Sequence, residues 1–329
     1  MRMLLRHLVS EILPSSSFSS FSSSSARILK VGDFLKQHRE FSEIDSRCYS
    51  EVTHQYNTTH LDSEEARPIG CEYRTVHGML VASLFPRIIA SHFPGAVYVS
   101  QSLHFNSPVY IGEEVITEVK ALNIKENKKR YMQNEEQLVV HGEASAILPT
   151  LVVDEEEEQS LTSSSPPLLS ETILPKHPGS SSIPSSSLSS SSSQFPKIKD
   201  VLKQSRKFSE LDVLYYSKLS QDYNILHLDS EKARIFGFED RIVHGMLVAS
   251  LFPQIITTHL HGALYTSQSL KFKLPVYIGE EVTAEVQVLD IGESNNGCIK
   301  FSTKCFKNDG KLVIDGEAVS RLITNSDGQ

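Results

Sequence analysis

The chain has 329 residues, with 32 Lys and Arg against 40 Asp and Glu, a formal charge of −8 and a pI near 5.9. No basic stripe is available for a nucleic-acid partner, and no apolar run approaches the roughly 18 residues a membrane span requires. Cys48, Cys71, Cys298 and Cys305 show no CxxC spacing, so reduced thiols outside the secretory route are expected.

The first stretch, "MRMLLRHLVSEILPSSSFSSFSSSSARILK", carries Arg2, Arg6, Arg27 and Lys30 against one acid, Glu11. Leu4, Leu5, Leu8 and Ile12 share a helical face, and serine dominates the remainder of the stretch. Arg- and Ser-rich, acid-poor and amphipathic is the composition of an organellar transit peptide, so residues 1–29 are expected to direct mitochondrial import; the ending "SDGQ" is not a peroxisomal SKL-type address.

A shift of 167 residues then superimposes Lys30–Ile124 on Lys197–Ile291 without a gap, with 58 of 95 positions identical. "HGMLVASLFP" occurs unchanged at His77–Pro86 and His244–Pro253. A period this long is a duplicated domain, not a solenoid unit. The domains are expected at 30–153 and 197–325. Between them, 154–196 is a Ser/Pro tract that cannot bury enough apolar surface to order itself and reads as a disordered linker. Within it "LLSETILP" (Leu168–Pro175) echoes "LVSEILP" (Leu8–Pro14), as fusion of two gene copies or a read-through gene model would leave behind.

Inside the second copy, "SRKFSELDVLYYSKLSQDYN" reads as mixed short segments with no long period. Ile242–Leu260 is apolar enough for a largely buried helix that Pro253 kinks or restarts. Two stretches rich in Val, Ile, Tyr, Phe and Thr alternate with period two, and Asn308-Asp309-Gly310 marks a turn between strands. One buried helix followed by antiparallel strands predicts an α+β domain with the sheet wrapped on the helix.

Asp222, Asn224 and His227 lie within six residues. A carboxylate and an imidazole held together can share a water, one taking its proton while the other supplies one. The alternative is that Asp222 or Asn224 caps a helical turn and His227 packs in the core. His244-Gly245 at the helix start offers either free N–H groups for a developing oxyanion or only a tight turn into the helix. The apolar helix itself suits core packing more than an acyl-chain wall. No metal-ligand spacing, phosphate loop or nucleophile elbow is present.

Together "FSELDV…YSKLSQDYNILHLDSEKA…RIVHGMLVASLF…SQSLKFKLPVYIGEEVTAEVQV" resembles the MaoC-like, hydratase-2 family of (R)-specific enoyl-CoA hydratases and 3-hydroxyacyl-ACP dehydratases, over Phe208–Ala318 and again over Phe41–Ala144. The resemblance implies tandem hot-dog domains, each a curved antiparallel sheet around a long helix, working as dimers within or between chains. It implies reversible syn addition of water across a trans-2-enoyl thioester carried by acyl carrier protein or CoA, without a cofactor or metal. Asp222 and His227 would hold the water and act as base and acid, Asn224 would orient them, and Gly245 N–H, beside His244, would polarise the thioester carbonyl. The family's usual proline after asparagine is Ile225 here, and its small residue after "ASLF" is Pro253, which bears on rate and chain length.

The first copy keeps Asn57, His60 and Gly78 but has Gln55 where Asp222 stands, and an amide cannot ionise. From "HGEA" and "DGEA" onward the shift is 174, so the first copy lacks seven residues opposite "GCIKFSTKCF". A strand is expected to be lost and the facing of its remainder inverted, leaving a degenerate partner domain. Two other classes remain in view: a hot-dog thioesterase, which has no need of the Asp-x-Asn-x-x-His spacing, and a non-catalytic acyl-binding or scaffold protein.

Overall fold

The computed structural model describes residues 29–57, 60, 73–125, 128–132, 139–149, 196–260, 262–292 and 297–322. The expected targeting segment and linker, Leu29 and Pro196 apart, lie outside the described residues.

The first copy comprises β1 (Phe34–Glu40), α1 (Glu43–Thr53), α2 (Gly78–Ala82), α3 (Leu84–His92), β2 (Val97–Phe105), β3 (Glu114–Lys125), β4 (Lys128–Met132), β5 (Val140–His141) and β6 (Glu143–Ile147). The second comprises β7 (Val201–Lys207), α4 (Glu210–Ser220), α5 (Ile225–Leu228), α6 (Ser230–Ile235), α7 (Gly245–Ala249), α8 (Leu251–His259), β8 (Ala263–Phe272), β9 (Glu281–Ile291), β10 (Cys298–Lys307) and β11 (Leu312–Leu322).

Helices α1 and α4 start at matching capping boxes: Ser42 and Ser209 accept from the backbone of Asp45 and Asp212, whose carboxylates reach back to the cap N–H. Both end at a left-handed residue, His54 and Gln221. The stretch read as mixed short segments is therefore strand β7 followed by the continuous 11-residue helix α4. Its period is hidden because serines occupy the buried face. Ser217 and Ser220 bond back to the carbonyls of Val213 and Tyr216 at 2.9 and 2.7 Å, so hydroxyls are buried at little cost.

The expected buried helix is two segments, α7 and α8, that meet at Ser250. Pro253 falls third in α8, within the first turn, where a missing N–H costs no helical bond. Helix α8 packs on β7, β8 and β9, and α3 on β1 and β3. The predicted turn forms: Gly310 takes φ +80° and Lys307 N–H donates to the Lys311 carbonyl at 2.9 Å.

All described strands join one antiparallel sheet of order β1-β3-β4-β6-β2-β8-β11-β10-β9-β7, with β5 also on β2. The halves meet where β2 pairs β8, Gln101 opposite Leu270 and Leu103 opposite Gln268. Since Gln268 and Leu270 are the repeat equivalents of Gln101 and Leu103, the seam is self-complementary about Ser102 and Ser269. Behind it α1 contacts α4. Arg39 donates to the Leu219 carbonyl and Arg206 to the Val52 carbonyl, each at 2.6 Å, so each copy's first strand is tied to the other's helix.

The expectation of a lost strand is overturned. Strand β4 is present, pairing β3 on one side and β6 on the other. Tyr131 lies opposite Ala121 and Ala144, as Phe301 lies opposite their equivalents Val288 and Ala318. Tyr131 follows Ala121 by ten positions, where Phe301 follows Val288 by thirteen; it precedes Ala144 by thirteen, where Phe301 precedes Ala318 by seventeen. The deletion is thus split, three residues before the paired position and four after it. Strand ends and connections shorten while the register stays, so no facing is inverted.

Near the seam, a Cβ on Gly316 would lie 2.0 Å from the Ser269 carbonyl oxygen. Gly316→Ala must therefore push β11 off β8, and is expected to cost about 1–3 kcal/mol as read from urea denaturation. Gly310→Ala, with nothing within 4 Å of its added methyl, carries only the positive-φ penalty and is expected to cost less.

Candidate active site

The turn after α4 aims Asp222 inward. Its N–H donates to Ser220 Oγ at 3.3 Å, and its carboxylate Oδ1 accepts from Asn224 N–H at 3.2 Å. Asn224 then caps α5, which carries His227. The His227 Nδ1–H donates to the Ile242 carbonyl at 2.8 Å, which fixes the tautomer and leaves Nε2 with its lone pair. Asp222, Asn224 and His227 are all buried.

His244 stands behind this pair. Its ring stacks on His227 with centroids 3.7 Å apart, and Tyr216 lies on its other flank at 5.0 Å. The Ser217 hydroxyl donates to the Val213 carbonyl, so His244 Nε2–H donates to both Ser217 Oγ at 3.3 Å and the Asp222 carbonyl at 3.1 Å. His244 thereby braces the backbone of Asp222. In the first copy Ser46 donates to Nδ1 of the equivalent His77 at 3.3 Å. Val213 replaces that serine, and His244 Nδ1 has no partner among the described residues.

Ligand atoms of Asp222, His227 and His244 lie within 4.8 Å of one another, close enough for a cation. Nε2 of His244 is committed to Ser217 Oγ and the Asp222 backbone carbonyl, and Nδ1 of His227 to the Ile242 carbonyl, so both rings are held beside the carboxylate by backbone and hydroxyl oxygens.

Burial raises the Asp222 pKa, opposed by His227, by the Asn224 N–H and by Arg87. Burial lowers that of His227, opposed by Asp222. Burial and the neighbouring His227 hold His244 well below the usual imidazole range, so it stays neutral. Burial thus pushes Asp222 and His227 toward their neutral forms, while each one's charge favours ionisation of the other.

These groups line a cavity of about 440 Å³, the size of a small-molecule site. Its walls come from both copies: Gly245, Met246 and Phe272 from the second, and Pro86, Ile89 and Tyr98 from the first. Gly245 allows the Phe272 ring to close against it, since a Cβ would lie 2.7 Å from that ring. Pro253 lines the other copy's cavity instead, and its equivalent Pro86 lines this one. Any bearing of the Asp222 site's proline on chain length therefore falls to Pro86.

Asn224 crosses the same boundary. Its Oδ1 accepts from Gly95 N–H at 3.0 Å and its Nδ2 donates to the Ala96 carbonyl at 2.8 Å. Its side chain thus holds the first copy's loop, while only its backbone N–H touches Asp222. Pro86, Arg87, Gly95 and Ala96 are absent from the sequence-derived site. Distance along the chain hid them, though the Arg87/Gln254 mismatch in an otherwise identical "LFPxII" was a visible signal.

In the first copy Gln55 occupies the Asp222 position, buried, with His60, Asn57 and Gly78 lining the same cavity.

An antiparallel sheet packed on a buried helix, built twice, with one buried Asp–His pair at the junction of the copies, defines a double hot-dog protein. The MaoC like domain matches residues 31–143 and 193–304, and the chain belongs to that family. The Arabidopsis thaliana protein named mitochondrial 3-hydroxyacyl-[acyl-carrier-protein] dehydratase is 53% identical over 144 residues, covering 41% of this chain and 86% of that one. An (R)-specific enoyl-CoA hydratase of Aeromonas caviae is 44% identical over 120 residues, covering 36% and 89%. In fold alone, a Mycobacterium tuberculosis protein described as a double hotdog superimposes with TM-score 0.65 at 13% identity, covering 89% of this chain and 96% of that one.

Asn224→Ala strands the Gly95 N–H and the Ala96 carbonyl, each buried loss costing about 1–3 kcal/mol. A lower urea-denaturation midpoint is expected, with faster amide exchange at Gly95, because the freed loop is a wall of the cavity.

Proposed function

We propose that this chain is a hydro-lyase, converting (3R)-hydroxyacyl thioesters and trans-2-enoyl thioesters reversibly in the C-terminal copy. The observation that carries this reading is the convergence of buried Asp222 and His227 on an apolar cavity, with His227 Nδ1 pinned so that Nε2 is free. In the hydration direction one of the pair takes a proton from water as its oxygen bonds to C3, and the other delivers a proton to C2. Dehydration reverses both transfers: the C2–H bond supplies the electrons of the new double bond, and the departing hydroxyl leaves as water. The pair carries one proton in total in either direction. Gly245 N–H, in the cavity wall, donates to the thioester carbonyl as negative charge develops on it. Asn224 is a positioning residue.

The dehydratase direction on acyl carrier protein, in mitochondrial fatty-acid synthesis, is supported by the name of the Arabidopsis relative and by the Arg- and Ser-rich composition of residues 1–30. The name of the Aeromonas relative supports the same chemistry on CoA thioesters in the hydration direction. Comparing an enoyl-CoA with the same enoyl group on acyl carrier protein distinguishes the carriers. As domains, 30–153 acts as the partner that completes the cavity, and 197–325 holds the reacting pair.

With crotonyl-CoA, loss of the enoyl absorbance reports hydration. Asp222→Asn and His227→Ala are each expected to reduce the rate ~10²–10⁴-fold, and the double variant little further, since the two act as a unit. Near-normal activity in Asp222→Asn would place the chemistry elsewhere.

The singly protonated pair predicts a bell-shaped pH profile. The Arg87 guanidinium favours the ionised carboxylate, so its removal raises the pair's proton affinity. Arg87→Gln, which installs the residue found at Gln254, is expected to move both limbs to higher pH. A profile that stays in place would show that Arg87 does not act on Asp222.

A further inference from the structure

The first copy keeps a cavity of about 670 Å³, larger than the reacting one. Its polar frame is intact. The His60 Nδ1–H donates to the Thr75 carbonyl at 3.0 Å, as His227 does to Ile242. The His60 ring stacks on His77 at 3.9 Å, and His77 Nε2 lies 3.2 Å from Ser50 Oγ and 3.4 Å from the Gln55 carbonyl. This is the brace that holds Asp222, built a second time around an amide. A site that had merely decayed would have no need of it.

Two polar atoms around this cavity lack partners among the described residues. Gln55 Oε1 is buried, in a residue only 6% exposed, and is an orphan acceptor. Arg321, contributed by the second copy in place of the Ile147 that lines the other cavity, has an orphan Nε donor. Buried polar groups left unpaired are costly, so each points to a missing partner. The complement is a ligand with a hydroxyl donor and a carbonyl or phosphate acceptor, carried on an apolar chain that suits Val76, Met79 and Val81.

We infer that the first-copy cavity is a second acyl-thioester site that binds the 3-hydroxyacyl form and releases it unchanged. The inference rests on the reading of the C-terminal cavity as a thioester site. The C3 hydroxyl donates to Gln55 Oε1, and Arg321 donates to the thioester carbonyl or a carrier phosphate. An amide oxygen accepts a hydrogen bond but does not take the proton at neutral pH, and burial holds His60 down at about 4 with no carboxylate acting on it among the described residues. No proton can therefore be passed, and no C–O bond breaks. A trans-2-enoyl thioester offers Gln55 no donor, so the site discriminates between the two sides of the reaction. Pro253 and Thr257 of α8 lie in the same wall, so the ligand rests on the central helix of the reacting copy.

The test is calorimetric titration of the full chain carrying His227→Ala, which slows conversion and keeps the Asp222 carboxylate in the reacting site. With (3R)-3-hydroxyhexanoyl-CoA, two equivalents per chain are expected; with trans-2-hexenoyl-CoA, one. Adding Gln55→Leu should weaken one of the two hydroxyacyl sites by about tenfold, the equivalent of about 1.4 kcal/mol. Cys298→Trp, at a half-buried position in the cavity wall, should remove that equivalent by filling the space. A single equivalent of the hydroxyacyl ligand, or two that neither substitution perturbs, overturns the inference. Crotonyl-CoA hydration by the unsubstituted chain separates the two claims. Turnover with one binding equivalent defeats the second site alone, whereas no turnover defeats the lyase reading while the stoichiometry still reports on the first-copy cavity.

Discussion

Everything in this molecule depends on how two half-sheets, one from each copy, dispose of an exposed edge. Left alone, β2 and β8 would each present unpaired N–H and C=O groups to water or to another chain. Pairing them satisfies both edges at once, and the self-complementary register about Ser102 and Ser269 permits only a two-fold arrangement. That arrangement turns the loop after each central helix toward the other copy's Asp-x-Asn or Gln-x-Asn segment. The cavity beside Asp222 is consequently a property of the pair. Its carboxylate and imidazole come from one copy, and its Pro86, Arg87, Gly95 and Ala96 surroundings from the other.

The same geometry accounts for how two nearly equal copies keep one frame while differing in the polar groups they bury. The two buried clusters differ at positions that include Asp222 against Gln55, Val213 against Ser46, and Arg87 against Gln254. Each change alters proton affinity or hydrogen bonding and leaves the frame standing, because the His-on-His stack and the imidazole-to-carbonyl bonds persist in both copies. Even the seven-residue deletion spares the frame. Divided between the two sides of β4, it removes strand ends and connections, where a lost residue need not break a ladder that has already formed.

Burial supplies the chemistry. Inside a cavity closed by both copies, Asp222 and His227 are each pushed toward neutrality, while each one's charge favours ionisation of the other. The first copy has Gln55 in place of that carboxylate, and burial drives His60 down, opposed among the described residues by its bond to Thr75.

The amino-acid sequence by itself determined the duplication, the class of each domain, the Asp222–His227 pair and the loss of its counterpart at Gln55. All of these are local: identity over a fixed shift, period-two alternation, and a carboxylate and an imidazole within one six-residue stretch. It left α4 unrecognised because serines on the buried face erase the apolar period. It also suggested a missing strand, because a count of residues does not say which ladder positions a deletion vacates. Only the tertiary structure decided that β4 survives, that Asn224 spends its side chain on Gly95 and Ala96, and that Pro86 and Arg87 serve the other copy's site. Those facts depend on which surfaces meet once both edges are paired, and contacts between residues 128 or more positions apart leave no spacing along the chain for a sequence pattern to register.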